Sequence, residues 1–133
     1  MKKKPNTSPT EAQEQRALFR WAEMHQGKFP DLALMFHIPN EGKRSQVGGY
    51  LMREAGLKKG VPDIFLPVPR GGCHGLFIEL KRQRGSKITA EQKEWQTALR
   101  AQGYASEICK GAVEAADVIK AYLRGSIDTS EER

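Results

Sequence analysis

Three residues stand in a pattern that could do chemistry together: Asp63, which follows Val61-Pro62, and Glu79 and Lys81 inside the run Leu76-Phe77-Ile78-Glu79-Leu80-Lys81. Side chains alternate along a strand, so Phe77, Glu79 and Lys81 share one face and Leu76, Ile78 and Leu80 the other. Asp63 opens a second apolar run, Asp63 to Val68, and Pro69-Arg70-Gly71-Gly72 joins the two runs with the composition of a turn between antiparallel strands. In that hairpin the start of the first strand lies beside the end of the second, which brings Asp63 to Glu79 and Lys81. Two hard carboxylates suit Mg²⁺ or Mn²⁺, ions that keep several waters and also accept phosphate oxygens. An ion so held polarises a phosphate and acidifies a water, while a neighbouring lysine orients that water or balances developing charge. This is the chemistry of phosphodiester hydrolysis.

A plainer reading competes. Glu and Lys two apart on a strand also describe a solvated edge, and X-Pro-Asp before a strand also describes a turn. Alone, the two features fit that reading better than a site. The basic segment immediately upstream of Asp63 shifts the balance.

The elements that must position these residues can be traced along the chain. Ser8-Pro9-Thr10-Glu11 reads as a capping box with Ser8 as N-cap and Glu11 reaching back, opening a helix from about Pro9 to His25. Glu11, Gln15, Leu18 and Ala22 fall on its inward stripe, flanked by Phe19 and Trp21, with Arg16, Arg20 and Glu23 turned away. Leu32 to Ile38 reads as a helical turn leading into a strand at Met35 to Ile38. Asn40 to Gly60 is Gly-, Lys-, Arg- and Ser-rich around a short helix, Gln46 to Ala55. After the hairpin, Thr89-Ala90-Glu91-Gln92 is a second capping box, opening a helix to about Gln102 with Gln92, Trp95 and Leu99 on one face. Tyr104 to Cys109 reads as a strand. Ala112 to Leu123 is a closing amphipathic helix with Val113, Ala116, Ile119 and Leu123 inward. The order implies an α/β fold, a sheet covered by helices on both faces, with the second long helix as a crossover between strands.

The 133 residues suit one domain. Residues 1–8 read as a disordered basic tail, 9–125 as the domain and 126–133 as a disordered polar tail. Hydrophobic residues at 38% and charged ones at 29% give a globular balance. No apolar run approaches the roughly 20 residues of a membrane span, and no greasy signal core follows Met1 to Lys4, so a cytosolic protein is expected. Cys73 and Cys109 lack zinc spacing and read as free thiols. His25, His37 and His74 are scattered without a nucleophile, and Trp21 and Trp95 read as packing residues. The formal charge of +6 suits a polyanionic partner.

Val61-Pro62-Asp63, fifteen further residues, then Glu79-Leu80-Lys81 resembles the signature of the PD-(D/E)XK nucleases, and Lys59-Gly60-Val61-Pro62-Asp63-Ile64 resembles its VRR-NUC branch. The likeness runs from about Glu11 to Leu123. Glu11 with Gln15 resembles the leading acidic motif, Asn40 to Gly42 the glycine-rich approach, and Thr89-Ala90-Glu91-Gln92 the helix start after the lysine. The resemblance implies a restriction-endonuclease-like core with a central mixed β-sheet. It implies Asp63 and Glu79 as metal ligands, Lys81 as catalytic lysine, and Glu11 as a further acidic group reaching the metal directly or through water. Glu11 is also the N3 member of the first capping box, and Glu14 is its alternate. Gln92 is either the capping partner of Thr89 or a site-lining amide.

Lys43, Arg44, Lys58 and Lys59 before the site, and Arg82, Arg84 and Lys87 after it, are the candidate phosphate contacts, which give position rather than a base code. The resemblance implies a Mg²⁺- or Mn²⁺-dependent DNA endonuclease of phage or bacterial type, acting on branched, Holliday-junction-like DNA in repair or recombination, as a homodimer. Two rivals remain: a non-catalytic nucleic-acid-binding module, and a nuclease acting on RNA or linear duplex ends. Acidic residues in a nucleic-acid groove repel phosphate unless a cation intervenes, which counts against the first.

Overall fold

The apolar alternation of Leu76–Lys81 makes an interior strand of the sheet, paired on both sides, and the other elements assemble around it. The computed structural model describes residues 4–39, 51 and 53–125. The described elements are α1 (Glu11–Met24), a 3₁₀ turn (Pro30–Leu34), β1 (Phe36–His37), β2 (Ile64–Leu66), β3 (Leu76–Lys81), α2 (Ala90–Ala101), β4 (Ala105–Lys110) and α3 (Ala112–Leu123). Strand order follows the chain: β1 pairs antiparallel with β2, β2 antiparallel with β3, and β3 parallel with β4. The β2–β3 hairpin and the α2 crossover of the parallel pair are both as the sequence implied. The sheet is mixed and helix-flanked, an α/β fold.

Leu76, Ile78 and Leu80 face the core, with Ile64 and Leu66 beside them and Leu18 of α1 and Ile119 and Tyr122 of α3 packed across. The opposite face carries Phe77, Glu79 and Lys81. α2 lies along β4, where Gln96 Nε2 and Arg100 Nε both donate to the Ser106 carbonyl. None of its side chains is fully buried. Cys73 and Cys109 are free and buried, and among the described residues no helix is long and apolar enough to cross a membrane.

Four details differ from the sequence reading. The first capping box is Thr10 with Gln13, not Ser8 with Glu11: Thr10 Oγ1 accepts from Gln13 N at 3.1 Å and Gln13 Oε1 accepts from Thr10 N at 2.8 Å. Thr10 and Gln13 repeat the box spacing two residues later, so the spacing alone did not choose between them. The buried stripe of α3 passes through Ala115, Ala116, Ile119 and Tyr122, leaving Val113 77% exposed. The helix packs against α1 and the sheet on that stripe, so the valine faces outward. The chain is also tied down before residue 9, because Asn6 Nδ2 donates to the Arg84 carbonyl and Arg82 Nη2 donates to the Ser8 carbonyl. Finally, β1 is two residues long rather than four. The short helix read over Gln46 to Ala55 falls largely, and the tail 126–133 wholly, outside the described residues.

The Tyr122 hydroxyl, itself 1% exposed, donates to the Val68 carbonyl at 2.5 Å. Tyr122→Phe strands that buried carbonyl and is expected to cost about 1–2 kcal/mol of stability, read as a lowered urea midpoint at unchanged m-value.

Candidate active site

The register Ile64↔Ile78 sets Asp63, one residue before β2, opposite Glu79. The Asp63 carboxylate does the work of a ladder bond at that point: its Oδ2 accepts from Leu80 N at 3.0 Å. The Asp63 carbonyl is held as well, by Ile38 N at 2.6 Å and by His37 Nδ1 at 2.9 Å. A carbonyl can only accept, so Nδ1 carries the proton there. Asp63, Glu79 and Lys81 are all buried, and Lys81 Nζ lies 3.7 Å from Glu79 Oε2. The hairpin thus brings together the three residues that the sequence singled out.

These groups line a cleft of about 320 Å³ together with Glu11, Lys58, Lys59, Gly60, Val61, Thr89 and Gln92. Glu11 is released for the cleft because Gln13, not Glu11, closes the capping box. Its Oε1 lies 3.4 Å from Ser86 Oγ. Glu14 turns elsewhere: one oxygen accepts from Gln83 Nε2 at 2.9 Å and the other from Ala112 N at 3.1 Å, so it fastens the exit of β3 to the start of α3.

Gln92 fills both of the roles open to it. Its Oε1 accepts from Thr89 N at 2.9 Å, completing the helix cap, while its Nε2 donates to Glu79 Oε2 at 3.2 Å. The two ends of one amide serve the helix and the cleft separately.

The strand that delivers Asp63 is clamped to α2. Trp95 Nε1 donates to the Lys59 carbonyl at 3.0 Å, and Lys59 Nζ lies 3.8 Å from Glu91 Oε1. Gly60, at φ 90°, lies so close to Glu91 that an added Cβ would sit 2.7 Å from its backbone carbon. Only glycine combines that φ with that approach. Trp95 is therefore a positioning residue for the cleft rather than a simple packing residue. Sequence reasoning passed over Gly60, His37 and Glu14 in these roles; the glycine directly before Val-Pro-Asp was the one local signal.

Of the candidate phosphate contacts, Lys58 and Lys59 are exposed on the cleft wall. Arg82 is engaged with the N-terminal segment, and exposed Arg84 and Lys87 follow β3. Lys43 and Arg44 lie outside the described residues.

Burial pushes the Glu79 carboxyl up from 4.5 to about 9, reinforced by the charge of Asp63 and a hydrogen bond with it, opposed by Lys81 and assisted by Glu11. Glu79 so placed keeps its proton near neutral pH. Among the described residues no three His, Cys, Asp or Glu side chains form a ready-made cage. Two adjacent hard carboxylates open to a cleft fit an ion that retains waters, as Mg²⁺ does.

The VRR-NUC domain family matches residues 9–113. This chain belongs to that family. A solved structure, a VRR-NUC domain protein, is 27% identical and superposes with a TM-score of 0.77, covering 95% of this chain and 98% of its own. No curated protein matches the chain. VRR-NUC domains are nuclease domains, so this VRR-NUC chain is of an enzyme type that acts on nucleic acid.

The raised Glu79 pKa has a consequence for stability. The folded protein keeps a proton that the unfolded chain sheds above about pH 4.5, so stability falls as pH rises from there to about 9. Glu79→Gln removes this penalty. In chelator, the variant is expected to melt above wild type by on the order of 5 °C near pH 8, with the gap closing toward about pH 5 in thermal scans.

Proposed function

We propose that this VRR-NUC chain is a divalent-metal-dependent DNA endonuclease, with Asp63 and Glu79 as ligands for Mg²⁺ or Mn²⁺ and Glu11 reaching the same ion directly or through water. One observation carries the reading: two buried carboxyls, that of Glu79 held protonated by burial and by the charge of its neighbour, meet at the floor of a cleft whose wall is lysine. Such a site exchanges its proton for a divalent ion. When bound, the ion supplies Lewis acidity to the phosphate and lowers the pKa of the attacking water.

The protein's own groups do the rest. Lys81, 3.7 Å from Glu79, orients the water or balances charge on the phosphoryl oxygens as in-line displacement proceeds. Gln92 holds the Glu79 oxygen, and the Leu80 amide holds the Asp63 carboxylate, so neither ligand must be ordered at the moment of reaction. Lys58 and Lys59 grip the backbone beside the scissile bond, with Arg84 and Lys87 beyond. Among the described residues no element presents a base-reading pattern, which supports recognition of shape, such as a branch or four-way junction, over sequence. Cutting both strands of a junction calls for two sites, hence a homodimer, acting in the cytosol of a bacterium or of a phage-infected host.

The test is incubation with labelled duplex, flap, four-way-junction DNA and RNA, in Mg²⁺ or Mn²⁺ and then in chelator. Cleavage of junction or flap DNA that stops with chelator is expected. Asp63→Asn, Glu79→Gln and Lys81→Ala should each lower cutting on the order of 10²-fold or more while leaving binding largely intact. Preference for RNA or for linear duplex ends replaces the substrate reading. Binding without cutting of any substrate makes the chain a nucleic-acid-binding module.

A further inference from the structure

The residues that precede α1 are strapped across the exit of β3. The Asn6 carboxamide is bonded at both ends: Nδ2 donates to the Arg84 carbonyl at 2.9 Å, and Oδ1 accepts from Ser8 N at 3.0 Å and from Ser8 Oγ at 2.6 Å. Gly85, at φ 80°, lets the two segments close, since a Cβ there would lie 2.7 Å from Asn6 Nδ2. Arg82 Nη2 holds the Ser8 carbonyl as well.

The strap also walls a second groove, of about 480 Å³, in which Thr7 and Pro9 meet Gln13, Arg16 and Arg20 of α1. Its chemistry is that of a donor surface. Arg16 and Arg20 are exposed, and among the described residues neither makes an ion pair or a side-chain hydrogen bond. Gln13 commits its oxygen to the helix cap, which leaves its amide hydrogens for the groove. Glu14 lies there too, but it is 4% exposed and its two oxygens already accept from Gln83 and from Ala112 N.

We propose that this groove is a second phosphate-binding site, which takes the backbone of a duplex arm leaving the cleft; it rests on the reading of the chain as a DNA-acting enzyme. The order of groups fits one path. Ser86 stands beside Glu11 of the cleft, exposed Arg84 follows two residues back, the Asn6 bond joins Arg84 to the strap, and the strap leads to Arg16 and Arg20. Cations thus continue from Lys58 and Lys59 by way of Lys87 and Arg84 to the outer surface of α1. A duplex presents a phosphate about every 3.4 Å of axis on each strand, and Arg16 and Arg20 stand about 6 Å apart along their helix, so each meets its own phosphate. Such contacts set position and affinity without reading bases. From Glu11 to Arg20 is about 13 Å of helix, so an arm must run about four base pairs past the cleft to fill the groove.

The experiment is a salt titration of four-way-junction binding by fluorescence anisotropy, in chelator so that nothing is cut. The full chain is compared with the double variant Arg16→Ala, Arg20→Ala and with Arg124→Glu, which makes the same change of net charge at the exposed end of α3. The double variant is expected to bind at least about tenfold more weakly, with a log–log salt slope shallower by about 2, and Arg124→Glu to bind as wild type does. A junction whose arms carry neutral methylphosphonate linkages about four base pairs beyond the branch should weaken wild type to the same degree and leave the double variant unmoved. Should the double variant fold poorly, the neutral linkages on wild type decide. An unchanged Kd and slope in the double variant, an equal loss in Arg124→Glu, or a wild type indifferent to the neutral linkages overturns the inference. Cutting in Mg²⁺ alongside an unaffected double variant removes this site alone, and groove-dependent binding without cutting removes the nuclease reading alone.

Discussion

Two carboxylates buried face to face repel each other, and a folded chain keeps them so only when other interactions hold them. In this protein the antiparallel register of β2 on β3 imposes the encounter, placing Asp63 against Glu79. The surroundings are arranged to tolerate it. An amide of β3 and an amide of α2 hold one oxygen of each acid, and Lys81 offsets part of the charge. Burial and the charge of Asp63 keep the Glu79 carboxyl protonated, which relieves the rest.

The clamp on residues 59–63 follows from the same need. Were the segment before β2 loose, Asp63 could swing away and relieve the repulsion. Instead Trp95 holds the Lys59 carbonyl, Gly60 lies against the first turn of α2, and His37 and Ile38 hold the Asp63 carbonyl from the sheet edge. The acid is fixed from both sides of the chain, so its electrostatic cost is retained as a preformed site.

Much of this was legible in the residues. The alternation of Leu76 to Lys81 told which side chains share a face, and the Pro-Gly connection told that Asp63 returns beside them, because strand geometry has one period and hairpins one sense of return. Thr89 and Gln92 announced their helix correctly. The first helix was announced at the wrong residue, since Ser8 and Thr10 offer the same chemistry, and which one caps depends on Asn6 and Ser8 being drawn toward the segment 82–84. That contact joins residues more than seventy positions apart and leaves no local pattern. Val113 was misplaced because amphipathic spacing identifies a stripe but not its centre, which here runs through Ala115, Ala116, Ile119 and Tyr122. The roles of Gly60 and Glu14 depend on contacts between distant segments in the same way.

The second helix, finally, supplies Gln92, Glu91 and Trp95 to the cleft while burying none of its side chains completely. Its attachment rests on polar tethers and partial apolar cover, the mark of an element that opens at lower free energy than the core strands. When it lifts, Glu79 loses its amide and the chain before Asp63 loses its anchor in one event. Local breathing of a single peripheral helix therefore loosens both acids in one step, while the sheet still holds the Asp63 carbonyl and carboxylate.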